Sequence, residues 1–249
     1  MPCLDPSIDP FIFSDSVRAF WQTREQQADA QLQRGQSDQG SRSAATGGKQ
    51  MDGFSRTICK LLIETGIDEK DIFQRVSVEL PGFFRPTKEW DIVVVVDCSL
   101  IAAIELKSQV GPSFGNNFNN RTEEALGSAM DIWTAYREGA FRTSPAPWLG
   151  YLLLLEDCPK SRSPVGVREP HFPVFPEFLQ ASYAKRYELF CRKLVRERQY
   201  NSACFLTADR SSADSRENYK EPAEDLSARQ FISQLQNHAR GIICREISD

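Results

Sequence analysis

Two short apolar runs, Ile92 to Val96 and Leu100 to Ile104, are separated by the polar connection Asp97-Cys98-Ser99. Apolar runs of this length around a short polar link predict a β-hairpin. Upstream, Ser14 or Ser16 is placed to cap a helix that carries Val17, Phe20, Trp21 and Leu32 near one stripe and runs towards Gln33. From Arg34 to Gln50 the chain has several glycines and serines and no periodic apolar position, which predicts a mobile loop over 34–50. Met51 to Thr65 returns to helical spacing with Phe54, Ile58, Leu61 and Leu62, and Gly66 supplies a stop. Phe73 to Leu80 alternates as a strand, followed by the Pro81-Gly82 turn and a connection holding Pro86.

Beyond the hairpin, Ser108 to Arg121 is polar, and a helix is predicted from Thr122, with Glu123 and Glu124 in its first turn and Leu126, Met130 and Trp133 along it. Trp148 to Leu155 is almost continuously apolar, as expected of a strand buried on both faces. A proline-rich loop follows, then a long helix from about Glu177 to Arg198, a short strand over Ala203 to Thr207 and a last helix over Asp225 to Ala239 with Phe231 and Leu235 inward. The order helix, three strands, helix, strand defines an α/β core over 51–156. An N-terminal helix precedes it, and 157–249 forms a C-terminal helical extension of the same domain.

Three charges give the hairpin its interest. If Asp97 to Ser99 form a three-residue loop, Val96 faces Leu100 and Asp91 falls opposite Glu105. Strand side chains alternate with period two, so Lys107 shares the face of Glu105, and all three groups meet on one patch. Opposed carboxylates repel, and a hard divalent cation between them removes that cost. A neighbouring lysine then orients or deprotonates a water, or stabilises charge developing on a phosphate. This is the composition of a metal-dependent phosphodiesterase. The alternative is a surface ion pair of little energetic weight, but two apolar strands around the charges and an aspartate at the opposed position favour the site.

Composition narrows the class. The chain has 249 residues, 41% hydrophobic and 26% charged, which suits one soluble α/β domain. No apolar stretch is long enough to span a membrane, and the N-terminus lacks the features of a secretion signal. Seven scattered cysteines without a C-x-x-C pair predict reduced thiols in a cytoplasm, and with two isolated histidines they disfavour zinc. The net charge of −4 argues modestly against nucleic acid, although Lys185 to Arg198 concentrates six basic residues. Gly47-Gly48-Lys49 is not a phosphate loop, because Ser43 and Gln50 stand where that motif needs Gly and Ser/Thr. Histidine-dependent nuclease chemistry is disfavoured, since neither His171 nor His238 sits in a paired motif.

The segment after the triplet is rich in groups that read base edges. Gln109, Asn116, Asn117, Asn119, Asn120 and Arg121 supply amides suited to adenine and a guanidinium suited to guanine. An asparagine-rich turn satisfying its own backbone is the bland reading. The position beside a catalytic lysine, with Arg121 just before a helix N-terminus, favours contact with bases or phosphate.

These residues resemble a known family. Asp91 followed by Glu105-Leu106-Lys107 on this framework is similar to the PD-(D/E)xK nuclease superfamily. Gly48 to Phe54, Phe114 to Arg121, Pro147 to Leu152 and Glu156 to Ser161 together resemble, more narrowly, the XhoI family of type II restriction endonucleases over nearly the whole chain. Trp90 stands where a proline often precedes the aspartate. The resemblance implies a magnesium-dependent homodimer in a bacterial cytoplasm that cuts both strands of double-stranded DNA at the palindrome CTCGAG, leaving 5′ overhangs with 5′-phosphates. It implies that Asp91 and Glu105 hold Mg2+ and that Lys107 assists the attacking water. A further acid often comes from the helix before the first strand, which nominates Glu64, with Glu79 competing on position. Lys49 and Gln50 are additional candidates for DNA contact. The alternatives are a structure-specific or repair nuclease of the same fold, or a DNA-binding module in which the ions are only structural.

Overall fold

The computed structural model describes residues 8–33 and 49–246. The glycine-rich stretch 34–48, read above as a mobile loop, lies outside the described residues, whereas Lys49–Met51 at its end form a 3-10 turn.

A mixed five-stranded sheet organises the chain, in the order β1-β4-β5-β6-β7. Its strands are β1 (Ile72–Phe73), β4 (Ile92–Val96), β5 (Ser99–Gln109), β6 (Trp148–Glu156) and β7 (Ser202–Ala208). A separate two-stranded arm pairs β2 (Glu79–Pro81) with β3 (Thr87–Glu89). β1, β4 and β5 pair antiparallel, while β5, β6 and β7 run parallel. The longer helices are α1 (Ser14–Gln33), α2 (Asp52–Ile63), α3 (Phe114–Arg137), α4 (Tyr183–Arg196) and α5 (Ala228–Glu246).

Period-two alternation sorts the strand residues onto two cores. On one face Ile92, Val94, Ile104, Leu152, Leu154 and Leu206 pack with Phe20 of α1, Ile58 of α2 and Phe231 of α5. Across the sheet Val93, Ala103, Tyr151, Leu153 and Phe205 pack with Ala129 of α3, Tyr187 of α4 and Trp90. Burial on both sides explains the continuous apolar run of β6.

Four expectations need correction. The strand predicted over Phe73 to Leu80 is broken, because Arg75 (φ 63°) and Ser77 (φ 55°) adopt left-handed conformations that end β1 and redirect the chain into the arm. The stretch around Pro86, expected to be a plain connection, continues into β3. α3 begins at Phe114 rather than Thr122, so the asparagine-rich segment is helical. Phe114 stacks on Tyr183 and Phe118 packs edge-on against Tyr187, and this packing overrides the weak helix propensity of asparagine. α4 starts at Tyr183, where the Ser182 side chain caps it, and not near Glu177. β7 lies within the main sheet, and α4 and α5 cover its two faces.

The arm is fastened at both ends. Trp90 N–H donates to the Val78 carbonyl at 3.0 Å, a bond that a proline at this position lacks the hydrogen to make. At the tip, buried Asp131 of α3 accepts from the amides of Phe83 and Phe84 and from Arg85 Nε. A side chain at Gly82 would place its Cβ 2.5 Å from an Asp131 oxygen, so only glycine admits the carboxylate here.

Candidate active site

The hairpin pairs Ile92 with Ile104, Val93 with Ala103 and Val94 with Ala102. Its turn has two residues rather than the expected three. Val96 pairs with Ser99, and Asp97 and Cys98 both carry positive φ, as a tight hairpin turn requires. A register shift between Val94 and Val95 leaves Ile101 without a partner on β4 and restores the residue that the shorter turn removed. The two departures cancel, so the next step past Ile92 brings Asp91 opposite Glu105. Asp91 N–H donates to the Ile104 carbonyl at 3.1 Å, and the Asp91 carboxylate accepts the Leu106 amide at 2.8 Å.

Lys107 completes the patch. Its Nζ lies 3.6 Å from Asp91 Oδ2 and 3.7 Å from Glu105 Oε1. The carboxylates differ in setting: Glu105 is 2% exposed and Asp91 40%. Beside Asp91 opens a cleft of about 330 Å³ whose lining includes Lys49, Asp52, Glu89 and Trp90.

Three residues that the sequence did not single out surround Glu105. Lys88 Nζ of β3 lies 2.5 Å from Oε1, the Tyr200 hydroxyl donates to Oε2 at 2.6 Å, and Ser128 of α3 reaches Oε1 at 3.5 Å. Burial pushes the Glu105 carboxyl up, but Lys107, Lys88 and Tyr200 outweigh it and hold the group below the usual carboxylate range. For Lys107 burial acts downward, and Glu105 and Asp91 more than reverse it, so its ammonium is held above the ordinary lysine value. Lys88 is pulled down by burial against the opposing pull of Glu105. A lysine two positions before Trp90 shares its face of the chain, which was a faint sequence signal for Lys88. Tyr200 arrives from a distant segment and left no such signal.

The remaining candidates are dispersed. Glu64 caps the far end of α2, paired with Lys60 at 3.9 Å, while Asp52 at the near end of that helix lines the cleft. Glu79 pairs with Glu89 across the arm on its exposed side. Among the described residues, no cluster of three or more His, Cys, Asp or Glu side chains is placed to hold a metal. Asn116, Asn119 and Asn120 are exposed on α3, and Asn117 is half-buried. Arg121, also half-buried, donates to Glu124 at 2.6 Å. Gln109 is buried and its amide donates to the Val110 carbonyl. Gln50 is buried too, bridging Arg24 and Ser108, whereas Lys49 is exposed at the cleft.

Residues 30–220 match the family model described as restriction endonuclease XhoI. The chain belongs to the XhoI restriction endonuclease family. By that membership it is a site-specific deoxyribonuclease. It is 58% identical to the type II restriction enzyme BstVI of Geobacillus stearothermophilus over 206 residues, covering 81% of this chain and 92% of the relative. Over 181 residues it is 48% identical to the type II restriction enzyme XhoI of Xanthomonas vasicola, covering 72% of each chain. The type II restriction enzyme AbrI of Azospirillum brasilense is 52% identical over 159 residues, covering 64% of this chain and 71% of the relative. No solved structure matches. Within this XhoI-family chain, the segments Glu156 to Ser161 and Gly111-Pro112 meet: Glu156 accepts the Gly111 amide and Lys160 Nζ donates to the Pro112 carbonyl. These contacts fix the turn that launches α3 from the end of β5. Among the described residues, no helix is long and apolar enough to cross a membrane.

Proposed function

We propose that this restriction endonuclease is a PD-(D/E)xK enzyme in which Asp91, Glu105 and Lys107 form the catalytic group and Mg2+ is the cofactor. The observation that carries the reading is Lys107 Nζ lying within 4 Å of both carboxylates on one face of a bulged hairpin. Two carboxylates of unequal exposure suit Mg2+, which commonly takes one or two protein carboxylates and fills its other positions with water and substrate phosphate. Asp91 and Glu105 are the residues that would hold the ion, which when bound would supply positive charge where negative charge builds on the phosphate.

The chain's own residues set the rest of the chemistry. Lys107 faces both carboxylates, which places it to orient the attacking water and to stabilise charge on a phosphate oxygen. Water oxygen bonds to phosphorus and gives up a proton as the bond from phosphorus to the 3′ oxygen breaks, the departing oxygen takes up a proton, and the products are a 3′-hydroxyl and a 5′-phosphate. Asp91, tied by the Leu106 amide, and Glu105, tied by Tyr200, keep their positions through that step.

The substrate is double-stranded DNA carrying the palindrome CTCGAG, cut to leave 5′ overhangs. A two-fold palindrome is matched by a two-fold protein, so the active species is a homodimer. α3 follows β5 after a four-residue connection, and its exposed asparagines serve in base readout with Arg121 and Lys49. The test is a plasmid with a single CTCGAG site, incubated with and without Mg2+ alongside Lys107→Ala. Linearisation at that site requires Mg2+ and disappears in the variant. Failure to cut there sinks the assigned sequence, and normal cutting by Lys107→Ala sinks the triad.

A further inference from the structure

Glu105 has no free oxygen. Its Oε2 is taken by the Tyr200 hydroxyl at 2.6 Å, and its Oε1 faces Lys88 at 2.5 Å, Ser128 at 3.5 Å and Lys107 at 3.7 Å. Oε1 is the oxygen on the side of Lys107, whose ammonium also reaches Asp91. A divalent cation shared by Asp91 and Glu105 therefore approaches the oxygen that Lys88 already neutralises. Both cations cannot sit against one buried oxygen without strong mutual repulsion.

Lys88 is held between Glu105 and an aromatic ring at once. Its Nζ stands 4.1 Å from the centroid of the Trp90 ring, and an aromatic face attracts an ammonium. The side chain is only 12% exposed, and it comes from the arm rather than from the catalytic hairpin. We infer that Lys88 is a positioning residue that fills the cation seat at Glu105 before metal arrives and is displaced from that oxygen when the divalent ion enters. It keeps a fully buried carboxylate ionised and oriented while the site is empty of metal, and it raises the metal concentration needed to load the site. This inference rests on the metal role of Asp91 and Glu105 proposed above.

A purely structural ion pair predicts the opposite response to removal of the lysine. Titration of Mn2+ into the full chain without DNA, followed by calorimetry, separates the cases with wild type, Lys88→Met, Lys88→Arg and Asp91→Asn. Lys88→Met is expected to bind Mn2+ about tenfold tighter than wild type, the scale on which groups contacting metal ligands act. Lys88→Arg keeps the cation and stays within about threefold of wild type. Equal or weaker Mn2+ binding by Lys88→Met overturns the inference while leaving the metal role standing. No binding by wild type or Lys88→Met removes the metal role itself, and this inference with it. Should Lys88→Met not fold, the wild-type protein still decides. Acetylation of the Lys88 amine, read by peptide mass spectrometry, is expected to accelerate at saturating Mn2+, and an unchanged or slower rate overturns displacement.

Discussion

The Tyr200 hydroxyl donates to Glu105 Oε2 at 2.6 Å across a sequence separation of 95 residues, and both groups are buried. A hydrogen bond to a buried charge is among the stronger single contacts in a protein. The same hydroxyl also reaches the Ala125 carbonyl of α3 at 3.2 Å, so it ties the carboxylate, the helix and the entry to β7 at one point. Tyr200→Phe removes the donor with almost no change of shape. It is expected to lower unfolding stability by about 2 kcal/mol and to slow cleavage roughly tenfold by freeing the Glu105 rotamer. Denaturant unfolding and single-turnover cleavage check the two effects, and a variant as fast as wild type removes any role for Tyr200 in holding Glu105.

The exposed asparagines make a different prediction. Asn116, Asn119 and Asn120 follow the three- and four-residue spacing that places side chains on one helical face, and that face is solvent-exposed. Changing all three to alanine is expected to leave stability within about 0.5 kcal/mol, as for surface positions. Loss of bidentate base contacts costs about 1–3 kcal/mol of discrimination each. Gel-shift competition in a Lys107→Ala background, with a CTCGAG duplex against a duplex changed at one base pair, measures the loss. Undiminished discrimination assigns base readout to other elements.

How far the site was legible follows from the range of the interactions that build it. The pairing of Asp91 with Glu105 depends on the period of two along adjacent strands, so it could be read locally, and it survived an error in the turn because the bulge at Ile101 compensated. Lys88 was only faintly legible and Tyr200 not at all, because both reach Glu105 through tertiary packing that no local period encodes. The same reason hid the true start of α3, where Phe114 and Phe118 are held by α4 and its approach. Arg75 and Ser77, which divide the expected first strand, adopt positive φ that their residue types do not announce.

The acid of α2 that lines the cleft is Asp52, at the near end of the helix. Asp52 lines that cleft with Asp91, whereas Glu64 lies roughly 18 Å further along the helix at 1.5 Å per residue. Asp52 is also paired with Arg75. Asp52→Asn is expected to slow cleavage about tenfold, while Glu64→Gln and Glu79→Gln stay within about twofold of wild type. Cleavage rates over a Mg2+ titration test all three. A large loss in Glu64→Gln, with normal folding, contradicts this geometry.

Asp131 links the arm tip to α3, and its behaviour with pH can be worked out. Burial pushes its carboxyl up, but the Phe84 amide, Arg85 and the Phe83 amide together hold it below the usual carboxylate value. A depressed folded value stabilises the protein above the unfolded value of about 3.9 and is lost as pH falls through the folded value. Acid should therefore release the tip that presents the exposed rings of Phe83 and Phe84. Arg85 is 46% exposed, so the two backbone amides carry most of the effect. Asp131→Asn, which exchanges one acceptor oxygen for a donor, is expected to cost about 2 kcal/mol at neutral pH. It should also make stability less sensitive to pH in the acid range. Hydrogen exchange at the Phe83 and Phe84 amides, corrected for intrinsic rates, should accelerate in acid for wild type and be fast throughout for the variant. Protection that is unchanged in Asp131→Asn would show that something other than this carboxylate orders the tip.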